Sequence, residues 1–147
     1  MVLKGEYKTT PEVLPIIIPE LQNKSIISVV HGYDHFGALT SSGKLLTWGR
    51  YWGGALGLGD PSKLPPGSPG GYMSEEEQIQ PRVRLLPPNV AVPSEVRFDH
   101  GLKAEGRVER YCFAVAAGAW HTAALVVDFV GDEVPPEDLR QYLKRAM

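Results

Sequence analysis

Cysteine is nearly absent. Cys112 stands alone in 147 residues, so no internal disulfide can hold the fold together. Long apolar runs are missing too. No stretch approaches the ~18 consecutive apolar residues that a membrane span needs, and residues 1–6 have no continuous apolar core of the secretory-signal kind. A reducing compartment, cytoplasmic or nuclear, is therefore expected. Charge of one sign is not in excess: Lys and Arg number 15 against 17 Asp and Glu, a net charge of −2. Without a basic stripe to neutralise phosphates, nucleic acid is a poor candidate for a direct partner. Sustained helical periodicity is also lacking through most of the chain. Turn formers are plentiful instead, with 16 Gly and 13 Pro, and apolar residues make up 43%. That composition suits a packed domain of short strands joined by turns.

The strongest positive signal is an internal repeat. The segment from Val29 to Leu39 returns from Val115 to Leu125, with Val, Gly, His, Ala and Leu at matched places. Gly32 and Gly118, His35 and His121, and Leu39 and Leu125 are all 86 residues apart (118 − 32). A recurring unit implies modular, stacked architecture. A weaker echo relates Thr10-Pro11-Glu12-Val13 to Gln80-Pro81-Arg82-Val83, at a separation of 70 (83 − 13). The shorter spacing predicts an insertion between Val83 and Gly118, placed at residues 89–110, which are rich in charge and proline. A second insertion is expected at 61–78: residues 63–72, rich in proline and glycine, cannot be regular structure, and with Met73-Ser74-Glu75-Glu76-Glu77 they are expected to be solvated and mobile.

Within the unit, β-branched residues 26–30 read as a strand. Residues 36–40 and 45–48 read as a hairpin about the turn Ser41-Ser42-Gly43-Lys44. A glycine-punctuated loop follows, with Leu56 and Leu58 as an apolar staple. Beyond residue 128 the chain changes character. Its acids precede its bases across residues 135–145, the polarity of a short C-terminal helix. The boundaries that result are a repeat-bearing domain at 1–128 and a tail at 129–147.

Few residues invite chemistry. His31 and His35 have the four-residue spacing of zinc ligands on a helix, but a strand with a glycine between them spoils that geometry. A buried histidine bonded to backbone at a corner fits His35 better. The loop Gly54-Ala55-Leu56-Gly57-Leu58-Gly59 lacks the Gly-Lys-Ser/Thr and the helix start of a phosphate cradle, and reads as a turn between units. Cys112, in a β context, reads as a small core residue rather than a nucleophile. Trp48 is expected in the core. No catalytic, metal or cofactor residue is assigned. Arg50, Tyr51 and Trp52 are of the types enriched at binding hot spots, and Trp52 serves equally well as a cover for an adjacent unit. With Tyr33, Asp34 and Trp120, beside the corner glycines, they form the candidate protein-binding set.

The order Val29, Gly32, His35, Ala38, Leu39, then Gly43, Leu45, Trp48, Gly49, then Gly54, Leu56, Gly57, Gly59, and finally Pro81 (one residue short of the usual spacing) and Val83 resembles the repeat of the regulator of chromosome condensation family. The resemblance implies seven-bladed β-propellers built of small antiparallel sheets. It gives structural roles to Gly32, His35, Trp48, Gly49, Gly57, Gly59, Gly118 and His121. The fold class expected is all-β, a partial propeller of about one and a half to two blades with a short C-terminal helix. Since such units bury their apolar faces only against neighbours, about three or more are needed for stability. The expectation is a C-terminal portion of a longer propeller that needs further blades or a partner to close the ring. Residues 92–101 and 111–114 are similar to the last blade of fungal proteins that join such a propeller to an F-box.

Two functions follow from the resemblance. The first is a non-catalytic interaction module with loops that bind a protein, for instance an ubiquitination substrate of a cullin-based ligase. The second is nucleotide exchange on a small Ran-like GTPase. Exchange-active members resemble each other in an acidic residue directly after the corner glycine. Here those places hold Tyr33 and Ala119, with Asp34 one position late. Inhibition of a secreted enzyme by the same fold is disfavoured by the absence of an export signal.

Overall fold

The computed structural model describes residues 17–51, 53–79, 87–98 and 108–130. A 3-10 turn at Pro19–Leu21 precedes β1 (Ile26–His31), β2 (His35–Thr40) and β3 (Leu45–Gly49). A short helix α1 (Glu75–Ile79) comes next, then β4 (Val90–Glu95), β5 (Val108–Gly118) and β6 (His121–Val130). The first four strands form one antiparallel sheet in sequence order, and β5 and β6 form a second.

The registers sort the side chains. Val29 faces Ala38, and His31 faces Phe36, which in turn faces Trp48. Because cross-strand partners share a face, these residues line one side of the sheet, here the outer face. His35, Leu39, Leu45 and Thr47 line the other, inner face. The inner face meets the second hairpin. Leu39, Leu45, Tyr51, Leu56, Leu58, Val90, Val96 and Cys112 form the buried cluster, and Trp48, Phe98, Val115, Ala124 and Val126 pack against it. Leu56 and Leu58 thus do staple the glycine loop to the core, and Thr47 Oγ1 donates to the Leu56 carbonyl at 2.7 Å.

The sheets are also pinned by hydrogen bonds at both ends. At the β2–β3 turn, the Cys112 N–H donates to the Gly43 carbonyl at 2.9 Å, and the Tyr111 hydroxyl to that of Ser41 at 2.8 Å. At the opposite end, the Tyr33 N–H donates to the Ala119 carbonyl at 2.9 Å.

Two sequence expectations are corrected. Residues 89–110 are not simply an insertion: Val90–Glu95 is the fourth strand of the first sheet, and β5 already begins at Val108. Pro93 disguised that strand. Proline lacks the N–H of an interior ladder, but β4 lies at the sheet edge, where proline is tolerated. Residues 63–72 hold no helix or strand, as expected, but the run Met73 to Glu77, expected to continue the same solvated loop, enters a helix instead. Ser74 Oγ accepts the Glu77 N–H, while Glu77 Oε2 accepts the Met73 N–H at 3.0 Å, which starts α1. From that helix Gln78 Nε2 donates to the Leu64 carbonyl at 2.8 Å and ties the loop down. The helix expected at 135–145 and the echo at residues 10–13 and 80–83 lie outside the described residues.

Candidate functional site

The corner of the first hairpin is built by close approach. Gly49 takes φ 110, and a Cβ there would stand 2.5 Å from the Asp34 carbonyl oxygen. Only glycine lets β3 pass this close. The approach lets the Arg50 N–H donate to that same carbonyl at 2.7 Å. It also brings the Arg50 guanidinium to 3.4 Å from the Asp34 carboxylate. Both side chains are about half exposed, so the pair fixes orientation more than it adds stability.

The second hairpin completes the site. Its turn, Ala119-Trp120, rests on the first corner through the Tyr33 N–H bond. The Tyr33 and Trp120 rings then meet edge to face, with centroids 5.1 Å apart and planes at 69°. Tyr33 is 71% exposed and Trp120 46%. An aromatic pair from two different repeats, next to a half-exposed carboxylate and guanidinium, is therefore presented to solvent on a fixed frame. It can take apolar and aromatic surface on the rings and a charged group beside them.

Of the candidate binding residues, the structure brings Tyr33, Asp34, Arg50 and Trp120 together. Tyr51 turns away: it is buried, and its hydroxyl donates to the Gly59 carbonyl at 2.9 Å. Burial, with the nearby Asp60 carboxylate adding to it, raises its phenol above the ordinary 10.0. Trp52 lies outside the described residues.

The repeat positions serve the frame. His35 is 2% exposed, as a buried corner histidine should be. Its bond, though, is not to backbone: Nε2 lies 2.9 Å from Thr122 Oγ1, on the second hairpin. Thr122 and the Ala119 carbonyl were missed in the sequence because both act across the repeat boundary, where no motif position marks them. Trp48, expected in the core, is half-buried: it packs against the buried cluster and also stacks on Phe36, with centroids 5.5 Å apart. Gly57 and Gly59, at φ 65 and 110, shape the loop after β3. Gly118 and His121 close the second turn and are exposed.

The chemical alternatives find no support in the geometry. His31 and His35 project to opposite faces of the sheet, and His31 Nδ1 contacts the Gly32 carbonyl at 3.1 Å. Cys112 is fully buried and its thiol is pushed above the usual 9.0 by that burial, which disfavours the thiolate a nucleophile needs. Among the described residues, no cluster of three or more His, Cys, Asp or Glu could hold a metal, and no helix is long and apolar enough to cross a membrane.

No protein-family model matches the chain. Over 130 residues it is 31% identical to the F-box protein pof9 of Schizosaccharomyces pombe, a match covering 84% of this chain and 22% of that protein. Among solved structures it is similar to yeast RCC1 (Prp20) bound to Kap60, with 21% identity, 74% of this chain and 20% of that chain covered, and a TM-score of 0.43. It is also similar to Prp20p of Saccharomyces cerevisiae, described with its binding to Gsp1p and histones. There the identity is 17%, the coverage 82% and 19%, and the TM-score 0.41. The chain spans about a fifth of the length of each of these proteins. With two Gly-x-x-His hairpins in matching register, packed sheet against sheet, this is a partial β-propeller built on a recurring hairpin unit, similar in sequence to part of an F-box protein.

Proposed function

We propose that the chain is a protein-binding module with no chemistry of its own, and that its partner docks on the corner formed by Tyr33, Asp34, Arg50 and Trp120. One observation carries this reading. Two exposed rings from separate repeats are held edge to face above a backbone hydrogen bond that joins the sheets. A preset pair of this kind loses little side-chain freedom on binding, and Tyr and Trp are the residue types that dominate interface energetics. The similarity to an F-box protein supports a finer version, in which the module recruits a substrate to a ubiquitin ligase in the cytoplasm or nucleus.

The test begins with a photo-crosslinking residue at position 33 of the full chain, used to identify a partner in extract. The affinity of that purified partner is then measured for the chain and for a Tyr33→Ala, Trp120→Ala variant. A loss of about 30-fold, the effect of a hot spot, is expected, with an unchanged unfolding midpoint. Equal affinities would remove the corner from the reading. Should the chain instead accelerate release of fluorescent nucleotide from a small GTPase, exchange would replace binding alone.

A further inference from the structure

The charges at the corner select among the groups its rings could take. Tyr33 and Asp34 form the turn between β1 and β2, at the end of the first sheet and on neither of its faces. Tyr33 is largely exposed, and its ring contact among the described residues is with Trp120. An edge-to-face pair uses at most one face of each ring, so at least one face of Tyr33 stays open to solvent. The next residue carries an unfilled acceptor. Asp34 Oδ2 meets the Arg50 guanidinium at 3.4 Å, while Oδ1 accepts no hydrogen bond among the described residues. A ring face is negative, and so is a carboxylate, so both attract a cation and both repel an anion. Arg50 opposes a second cation. Its contact with Asp34 is long, however, and joins side chains that are about half exposed, so an incoming cation can compete for the same carboxylate.

We infer that the partner protein inserts an arginine side chain here, its guanidinium laid on the open face of Tyr33 and donating N–H bonds to Asp34 Oδ1, a reading that rests on the corner being the docking site. The geometry selects arginine over other cations. The two rings already touch, with centroids 5.1 Å apart, so no slot remains between them for the rounded head of a lysine or a methylated ammonium. A guanidinium is planar. It stacks on a single ring face and still directs its N–H donors sideways, in its own plane, to a carboxylate on the neighbouring residue. It is also more weakly hydrated than an ammonium, so it gives up less on leaving water.

Nuclear magnetic resonance titration of the isotope-labelled 147-residue chain tests this, with N-acetyl-arginine amide as the probe beside the matching lysine, citrulline and glutamate amides. Citrulline keeps the shape of arginine without its charge. The arginine amide should shift the Tyr33 and Trp120 resonances saturably and bind about three- to fivefold more tightly than the lysine or citrulline amide, the effect of one exposed cation–π contact. Asp34→Asn should weaken it by a similar factor, and Arg50→Gln, which removes the competing guanidinium, should strengthen it. The spectra report the fold of each variant. If Asp34→Asn does not fold, ionic strength takes its place: arginine binding should weaken as salt rises, because exposed charges are screened. No saturable shift, equal binding of the citrulline amide, preference for the glutamate amide, or weaker arginine binding by Arg50→Gln each overturns the proposal. The crosslinked partner keeps the two readings apart. A partner weakened by Tyr33→Ala, Trp120→Ala but indifferent to Asp34→Asn leaves the corner as the docking site and overturns the arginine. A partner indifferent to both variants removes the corner, and the arginine with it.

Discussion

The hairpins at residues 32–39 and 118–125 share Gly, His, Ala and Leu at matched places, a two-residue turn and a register, yet they stand in opposite surroundings. In the first, the Gly32 N–H donates to the His35 carbonyl at 2.9 Å, and His35 and Leu39 are buried. In the second, Gly118 pairs with His121 across the same turn, and both His121 and Leu125 are exposed. The first hairpin gives its His/Leu face to its neighbour, whereas the second gives the reverse face, through Thr122, Ala124 and Val126. The motif therefore sets the hairpin, and the adjoining sheet decides which motif residues become core. That is the logic of a stacked array, where stability resides in interfaces as much as in units.

The sharpest way to break the comparison is to truncate the equivalent leucines. Leu39→Ala should cost about 2–5 kcal/mol, the loss for a large-to-small change in a filled core. Leu125→Ala should change stability by no more than about 0.5 kcal/mol, as exposed positions do. Urea unfolding of both variants measures the difference. Similar costs would mean that the second leucine is buried in solution rather than exposed.

The corner glycines give a smaller contrast. A Cβ on Gly32 would fall 2.1 Å from Cε1 of His35 and 2.6 Å from the Ala119 carbonyl, while one on Gly118 meets nothing within 4 Å. Gly32→Ala should therefore cost about 1–3 kcal/mol through forced displacement of the histidine, and it should weaken the His35–Thr122 contact. Gly118→Ala should be close to neutral. Thermal unfolding reports the stabilities, and the His35 ring resonances report the contact. A neutral Gly32→Ala would show that the corner is looser in solution than its packing implies.

Much of this was legible beforehand, for a physical reason. Alternation and turn residues are local, so β1, β2 and β3 and the glycine loop could be read from residues 26–59. The repeat showed that a second hairpin of the same kind existed. What stayed hidden was nonlocal or masked by one residue. Pro93 concealed β4, because only the sheet order reveals that its strand is an edge. Ser74 and Glu77 were a readable Ser-x-x-Glu start signal for α1, overshadowed by the prolines around it. At the candidate site, the residue types at Tyr33, Asp34, Arg50 and Trp120 marked a binding corner, but Tyr51, of the same type and one residue from Arg50, turned inward. Neither composition nor spacing separates those two outcomes. The Tyr51 hydroxyl finds the Gly59 carbonyl only because the loop folds back over it.

The turns themselves hold the subtlest difference between the two repeats. Residue 119 corresponds to residue 33, but only Ala119 adopts a positive φ, of 44°. An L-residue with a Cβ is strained there, and backbone strain that persists must be held by its surroundings. Here the holding contact is the hydrogen bond from the Tyr33 N–H to the Ala119 carbonyl, the same bond that brings Trp120 beside Tyr33. Ala119→Gly relieves the strain and should stabilise the chain by about 0.5–1 kcal/mol, despite the greater freedom glycine gives the unfolded chain. If the strained turn is also what fixes the aromatic pair, the same variant should bind a partner at this corner no more tightly, since glycine loosens the turn that presents Trp120. Chemical denaturation and calorimetric titration of the one variant separate the two effects. Destabilisation by Ala119→Gly would mean that the alanine methyl makes a contact worth more than the strain it imposes.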